Sequence, residues 1–390
     1  MAEEARKILD DPQTYAAIDP SGLRNRLRAI PGQCSLAWDK ARAFTLPAEW
    51  SSSNQVVIGG MGGSAMAGDL AADLALALTG SFPVPAGSEP QSTGPHCNEK
   101  PSAGVPILVV RDLIFPFSLD QDTIFVACSY SGNTEETLSL FEQAVHQPTQ
   151  TRARTIAITG GGKLSKLAGE AGVPLLKVEV TSEPRTAVAY NLMLILGVLR
   201  GLGLLDLSEE QVSAAIREVS GSGGLWAEDV PVAENSAKRL ALELRNKLII
   251  VYGSGLFSGM ARRWKSQFNE NAKIWSFFET LPELLHNSVE AFGSAPPDPS
   301  IALILEPGAG GAASGNLIHG RHNRVITETL SLHKILNIAA KGEGTSPLAQ
   351  VLNMLLLGDY VSYYLAMLRG VDPSPNPSID TAKDILSRLT

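Results

Sequence analysis

The pattern of apolar and polar positions changes character along this chain. Over residues 1–45 it is helical and polar, with turns at Asp19-Pro20-Ser21-Gly22 and Pro31-Gly32. Short apolar runs rich in β-branched residues then appear at 55–58, 106–110, 123–127, 155–158 and 175–180. Helix-period segments at 64–78, 134–145, 163–171 and 186–202 separate most of them. Such runs read as buried strands, and their alternation with helices predicts a parallel sheet wrapped on both faces. Residues 206–245 read as two helices. A second series follows, with strands at 247–252, 301–305 and 334–339 and a helix at 257–271. A long apolar helix at 348–368 and a terminal one at 379–389 complete it.

The two series echo each other. Val56-Val-Ile-Gly-Gly-Met-Gly-Gly-Ser64 and Ile249-Ile-Val-Tyr-Gly-Ser-Gly255 both run strand, glycine turn, helix, and Gly253 lies 193 residues beyond Gly60. The expected fold is α/β, with two doubly wound lobes, each a mainly parallel sheet flanked by helices. A helical segment covers 1–45, the first lobe 46–220 and the second 221–390. The Gly/Pro/Ser-rich stretch 80–104 and the Gly-Ala run in 307–316 read as surface insertions.

Composition narrows the function classes. Of 390 residues, 44% are hydrophobic and 18% charged, enough apolar material for a large core and against disorder. The net charge of −8 argues against coating nucleic acid or an anionic membrane. It leaves open a small anion held by a local pocket. Cys34, Cys97 and Cys128 are odd in number and widely spaced, which suits neither a disulfide framework nor a structural zinc site. Arg200 interrupts the apolar stretch 192–207 and Asp359 the stretch 352–368, so neither reaches the roughly 20 clean apolar residues of a membrane span. The N-terminus is acidic and lacks the apolar core of a signal peptide. A cytoplasmic protein is expected.

The chemistry sits at strand–helix junctions. In Gly59-Gly-Met-Gly-Gly63-Ser64, glycines let backbone N–H groups face a ligand at a helix N-terminus. A plain packing turn is the simpler alternative. Gly60-x-Gly62-x-x-Ala65 approximates a dinucleotide fingerprint, but the expected acidic residue about 20 positions on is missing. No Gly-Lys-Ser/Thr follows, so it is not a Walker loop. Ser129, Ser131 and Thr134 in Cys128-Ser-Tyr-Ser-Gly-Asn-Thr134-Glu-Glu gather three hydroxyls at the second junction. Helix capping explains one of them; a phosphate held by hydroxyls and amides explains the set. Cys128 reads as a buried strand residue. The third junction, Thr159-Gly-Gly-Gly162, reads as a turn, and Ser182-Glu-Pro-Arg185 offers one guanidinium before a helix.

These junctions, in this order, resemble a sugar-isomerase (SIS) domain. Phe268-Asn-Glu270-Asn-Ala-Lys, Leu281-Pro-Glu-Leu-Leu-His286-Asn287 and Gly370-Val-Asp-Pro-Ser374-Pro375 narrow the resemblance to the bifunctional phosphoglucose/phosphomannose isomerases. It covers nearly the whole chain, including the Asp19 turn and Val110-Arg-Asp112. The resemblance implies two SIS-type lobes and interconversion of glucose 6-phosphate and mannose 6-phosphate with fructose 6-phosphate through an enediolate. It implies Glu270 as the base moving the C2 proton, His286 and Lys383 as ring-opening groups, and Arg185 as the cation neutralising the enediolate. Gly63, Ser64, Ser129, Ser131 and Thr134 would hold the phosphate, and Ser374 would stand at the sugar-specificity position. Ser374-Pro-Asn-Pro377 departs here from the family's frequent Thr-Pro-Val. No metal or cofactor is implied, and no HxH ligand set is visible. The family also implies a homodimer with shared active sites, in which His286 can come from the neighbouring subunit. Two other readings stand beside this one: a non-catalytic sugar-phosphate-binding SIS regulator, and an SIS isomerase of another sugar phosphate.

Overall fold

The computed structural model describes residues 2–79, 104–148, 152–180, 183–294, 298–308 and 315–389. Cys97 and nearly all of the insertion read at 80–104 lie outside the described residues, as does most of the Gly-Ala run in 307–316. Four helices open the chain: α1 (Ala2–Asp10), α2 (Pro12–Ile18), α3 (Leu23–Arg28) and α4 (Ile30–Arg42). The first lobe follows with β1 (Gln55–Gly59), α5 (Gly62–Leu78), β2 (Ile107–Val110), β3 (Thr123–Ser129), α6 (Glu135–Val145), β4 (Arg154–Thr159), α7 (Gly162–Glu170), β5 (Leu175–Lys177) and α8 (Val188–Gly201). Two helices, α9 (Glu209–Trp226) and α10 (Ser236–Leu244), lead to the second lobe. That lobe comprises β6 (Leu248–Ser254), α11 (Ser258–Glu270), β7 (Ser276–Leu281), β8 (Ser300–Glu306), α12 (Gly315–Leu332), β9 (Asn337–Lys341), α13 (Pro347–Arg369) and α14 (Pro377–Leu386).

Both sheets are parallel throughout, in the orders β2-β1-β3-β4-β5 and β7-β6-β8-β9. Every residue of β3 is buried, as a strand covered by helices on both faces requires. In each lobe the first strand steps outward through one helix, and the chain then returns to the strand's other side. The carboxyl ends of β1 and β3 therefore flank a topological switch point, where such sheets bind ligands. The repeat read from the glycine turns holds in the elements, since Leu248 opens β6 193 residues after Gln55 opens β1.

Two elements escape the sequence pattern. The edge strand β7 buries only Ser276 and Leu281, so no continuous apolar run marks it. Within residues 320–332 of α12 the buried apolar side chains are Ile326 and Leu330. The N-terminal helices share the main core through Leu9, Leu23, Leu27, Ile30 and Trp38, and α4 packs on α8. The 220/221 boundary falls inside α9, which packs along α13.

Of the described helices, α13 alone is long and apolar enough to cross a membrane, but 94% of its apolar window is buried inside the protein. It is the central core helix. Its one carboxylate, Asp359, is fully buried and takes a 2.7 Å bond from the buried Arg263. Burial raises the Asp359 carboxyl to about 6 against the lowering pull of Arg263. A second internal carboxylate, Asp73 of α5, accepts the Gly259 N–H at 2.6 Å and so caps the start of α11. Helix α5 of the first lobe thus meets the helix that ends in Glu270.

Candidate functional site

The cradle forms where β1 and β3 end side by side, Gly59 opposite Ala127. Ser64, in the first turn of α5, is buried and hydrogen-bonds the Cys128 thiol. That thiol is fully buried, and desolvation raises it to about 12, which suits a structural strand residue rather than a nucleophile. Ser129 Oγ accepts the Gly132 N–H at 3.1 Å and lies 3.0 Å from Thr134 Oγ1. Thr134 occupies the N-cap of α6, yet its side chain makes no capping bond. Its hydroxyl is turned to Ser129 instead. Ser131 is exposed, and its Oγ accepts the Asn133 N–H at 3.2 Å.

Two glycines are required by close approach. A Cβ on Gly63 would lie 2.4 Å from the Pro184 carbonyl oxygen. Gly132 has φ +67°, and a Cβ there would fall 1.8 Å from the Gly161 oxygen. The first contact brings the start of α5 against the segment that carries Arg185.

Arg185 is 4% exposed and joins three parts of the chain. Its Nε donates to Asn271 Oδ1 at 2.8 Å, and Nη2 donates to the carbonyls of Pro373 and Ser374 at 2.9 and 2.8 Å. Its Nη1 stands 3.9 Å from Glu270 Oε2. Burial pushes the guanidinium pKa down, and Glu270 opposes that shift. Beneath it, Arg263 donates to the Arg185 carbonyl at 2.6 Å, and Asn271 donates to Ser362 Oγ at 3.0 Å. A buried polar chain from α13 thus fixes the guanidinium in place.

Glu270 closes α11 with its side chain 29% exposed. Lys273, three residues on and at φ +54°, donates to the Glu270 carbonyl, to Pro373 O at 3.3 Å and to Asn376 Oδ1 at 2.9 Å. Asn376 Nδ2 stands 3.5 Å from Glu270 Oε2. The hydroxyl of Ser374 bonds to Ser21 and accepts from Arg26 Nη2 at 3.0 Å, turned toward the N-terminal segment. Arg26 also pairs with Glu183 at 2.6 Å. The Asp19 turn holds that segment down, Asp19 accepting from Leu23 N–H at 2.7 Å and from Tyr363 OH at 3.1 Å.

One chain brings Arg185, Glu270 and Ser374 together and ties them to Gly63 of the cradle. Among the described residues, no hydrogen bond or ion pair joins His286 or Lys383 to them. Glu270 precedes β7 and His286 follows it, at the end of a 3-10 turn over Glu283–His286. A six-residue strand spans about 20 Å. His286 is exposed there, and Lys383 is exposed on α14, two turns beyond the Asn376 cap. Sequence reasoning passed over Lys273, Asn271, Asn376 and Arg26. Asn271 and Lys273 stand inside the Glu-Asn-Ala-Lys motif itself, while nothing local marks Arg26. Among the described residues, no group of three or more His, Cys, Asp or Glu side chains is arranged to hold a metal ion.

The family description "bacterial phospho-glucose isomerase C-terminal SIS domain" matches residues 233–386. The bifunctional phosphoglucose/phosphomannose isomerase of Caldicellulosiruptor bescii is 31% identical over 368 residues, covering 92% of this chain and 97% of that protein. The chain belongs to that family. As a family member it is an isomerase. The enzyme of the same description from Aquifex aeolicus is 31% identical over 296 residues, 74% of this chain and 84% of its own. A crystal structure of a hypothetical protein from Thermus thermophilus superposes with TM-score 0.70 at 18% identity, over 100% of this chain and 94% of that one, which establishes a shared fold.

Proposed function

We propose that this isomerase interconverts glucose 6-phosphate and mannose 6-phosphate with fructose 6-phosphate. The observation that carries the reading is the continuity from Gly63 through Pro184 and Arg185 to Glu270, which joins a glycine-rich helix start to a carboxylate and a buried cation. Gly63, Ser64, Ser129, Ser131 and Thr134 hold the phosphate through hydroxyls and the amides of the helix starts. With the ring open, the Glu270 carboxylate takes the C2 proton. The C2–H electrons form the C1–C2 double bond, and the aldehyde oxygen becomes an oxyanion. Arg185 Nη1 faces that developing charge. A proton passes from O2 to O1, and Glu270 returns its proton to C1, leaving the C2 ketone. A C2 epimer enters the same enediolate after rotation about C2–C3. Ser374 is the residue assigned to that choice of sugar.

His286 and Lys383 act on ring opening. The separation of His286 from Glu270 by the length of β7 favours a homodimer in which each site takes His286 from the other copy. A coupled assay with glucose 6-phosphate and mannose 6-phosphate tests the whole reading. Turnover of both is expected, and Glu270→Gln removes it while sugar-phosphate binding persists. Folded wild-type protein that turns over neither sugar, or that acts on glucosamine 6-phosphate alone, overturns it.

A further inference from the structure

The motif that supplies the base also supplies a cation with no role in the chemistry above. Lys273 is only half-buried, yet its ammonium meets three acceptors, one in its own motif and two in the distant tail: the Glu270 carbonyl, Pro373 O at 3.3 Å and Asn376 Oδ1 at 2.9 Å. An ammonium has three donors, and here each has a partner. The amide of Asn376 continues the contact, with Nδ2 at 3.5 Å from the Glu270 carboxylate. Pro373 O is also a partner of Arg185. The cation that faces Glu270 and the cation that holds its backbone thus share an anchor on one loop.

We propose that Lys273 is a positioning residue for Glu270: its ammonium fastens the end of α11 to the segment 373–376 and so holds the carboxylate beside Arg185. This rests on Glu270 being the base of the proposed reaction. Without the clamp, the last turn of α11 and the tail loop are joined, among the described residues, through Arg185 and the long Asn376–Glu270 contact, and the carboxylate gains freedom where orientation governs rate.

The charged groups around Lys273 are Arg185, Glu270 and Asp372, with Arg245, Lys247 and Arg369 lining the cavity of about 340 Å³ on its other side. Burial, with Arg185 adding to it, lowers the ammonium to about 8, while Glu270 and Asp372 resist. Below that pH the clamp is charged and closed; above it one donor and the charge are lost. The sign for stability is the reverse. A lysine that loses its proton more readily folded than unfolded makes its own contribution to stability rise with pH above about 8. A fall in rate in that window is therefore distinguishable from unfolding.

The test measures kcat and KM with glucose 6-phosphate from about pH 6 to 10 for wild type, Lys273→Arg, Lys273→Met and Asn376→Ala, with Tm read alongside. Wild-type kcat is expected to fall as pH rises through about 8. Lys273→Arg keeps its charge and extends activity beyond that limb. Lys273→Met loses about 10²-fold in kcat at neutral pH with KM little changed. Lys273→Met that keeps the wild-type kcat and alkaline limb overturns the proposal, as does a loss confined to KM. If Lys273→Met does not fold, Asn376→Ala decides: a lower kcat at constant KM supports the clamp, and an unchanged kcat overturns it. Wild type inactive on both sugars overturns the functional reading and this inference with it, whereas active wild type with indifferent variants overturns this inference alone.

Discussion

Replacing Arg185 by Met tests the electrostatic core of the site. The guanidinium stands 3.9 Å from Glu270, where unit charges at an effective dielectric of about 20 interact by about 4 kcal/mol. That gross term sets the scale of what Nη1 offers an enediolate growing in the same place. Removing a comparable preorganised donor from an oxyanion site costs about 2.7–4 kcal/mol, or 10²–10³ in kcat. A second cost falls on folding. Asn271 Oδ1 and the carbonyls of Pro373 and Ser374 each lose a donor; Pro373 O keeps Lys273, and a buried acceptor left alone costs about 1–3 kcal/mol. Arg185→Met is therefore expected to lower Tm as well as rate. Arg185→Lys separates the two effects, since it keeps a charge and loses the planar fork that serves three acceptors. The assay is kcat and KM for fructose 6-phosphate, with solvent deuterium incorporation at C1 reporting the enediolate directly. Arg185→Lys should fall between wild type and Met in kcat. Folded Arg185→Met with kcat within about threefold of wild type would refute the reasoning, and so would a loss carried wholly by KM, the signature of uniform binding.

Two further outcomes are expected. Glu270→Gln and His286→Asn should each be inactive alone, while their equimolar mixture, unfolded and refolded together, should recover about a quarter of wild-type activity. Half of those dimers would carry one intact shared site, so a mixture that stays inactive argues for sites built within single chains. Asp73 should make the protein less stable as pH rises. Burial raises its carboxyl to about 7, so between about 4 and 7 the folded state holds a proton that the unfolded state has lost, and stability falls with pH across that window. Asp73→Asn can still accept the Gly259 N–H and should flatten this dependence in calorimetric scans; an unaltered slope would remove Asp73 as its source.

The legible parts of this molecule are those whose physics is local. A strand buried on both faces must be apolar along its length, so β1, β3, β4, β6 and β8 announce themselves. A glycine pressed against a distant carbonyl must remain glycine, so the cradle reads directly from Gly63 and Gly132. The edge strand β7 is not bound by that rule, and Trp275 beside it is 78% exposed. The site itself is partly local and partly not. Glu270, Asn271 and Lys273 are neighbours in one motif, but their partners come from residues 185 and 373–376. No spacing in the sequence relates those segments.

Their meeting follows from the two-lobed topology. The chain leaves the first lobe through α8, just after Arg185, enters α11 in the second and returns along α13 to the tail at Gly370. Three crossings end at one point because α13 packs against both α5 and α11. In the proposed reaction Glu270 would therefore act from the second lobe on a sugar phosphate held by the first, with Arg185 between them held by the tail. Any relative shift of the lobes must stretch the Arg185–Asn271 bond and the Asp73–Gly259 bond, so lobe packing and the geometry around Glu270 are coupled. The fully buried Asp359–Arg263 pair, which buried alone would cost desolvation, also holds the carbonyl of Arg185 in place.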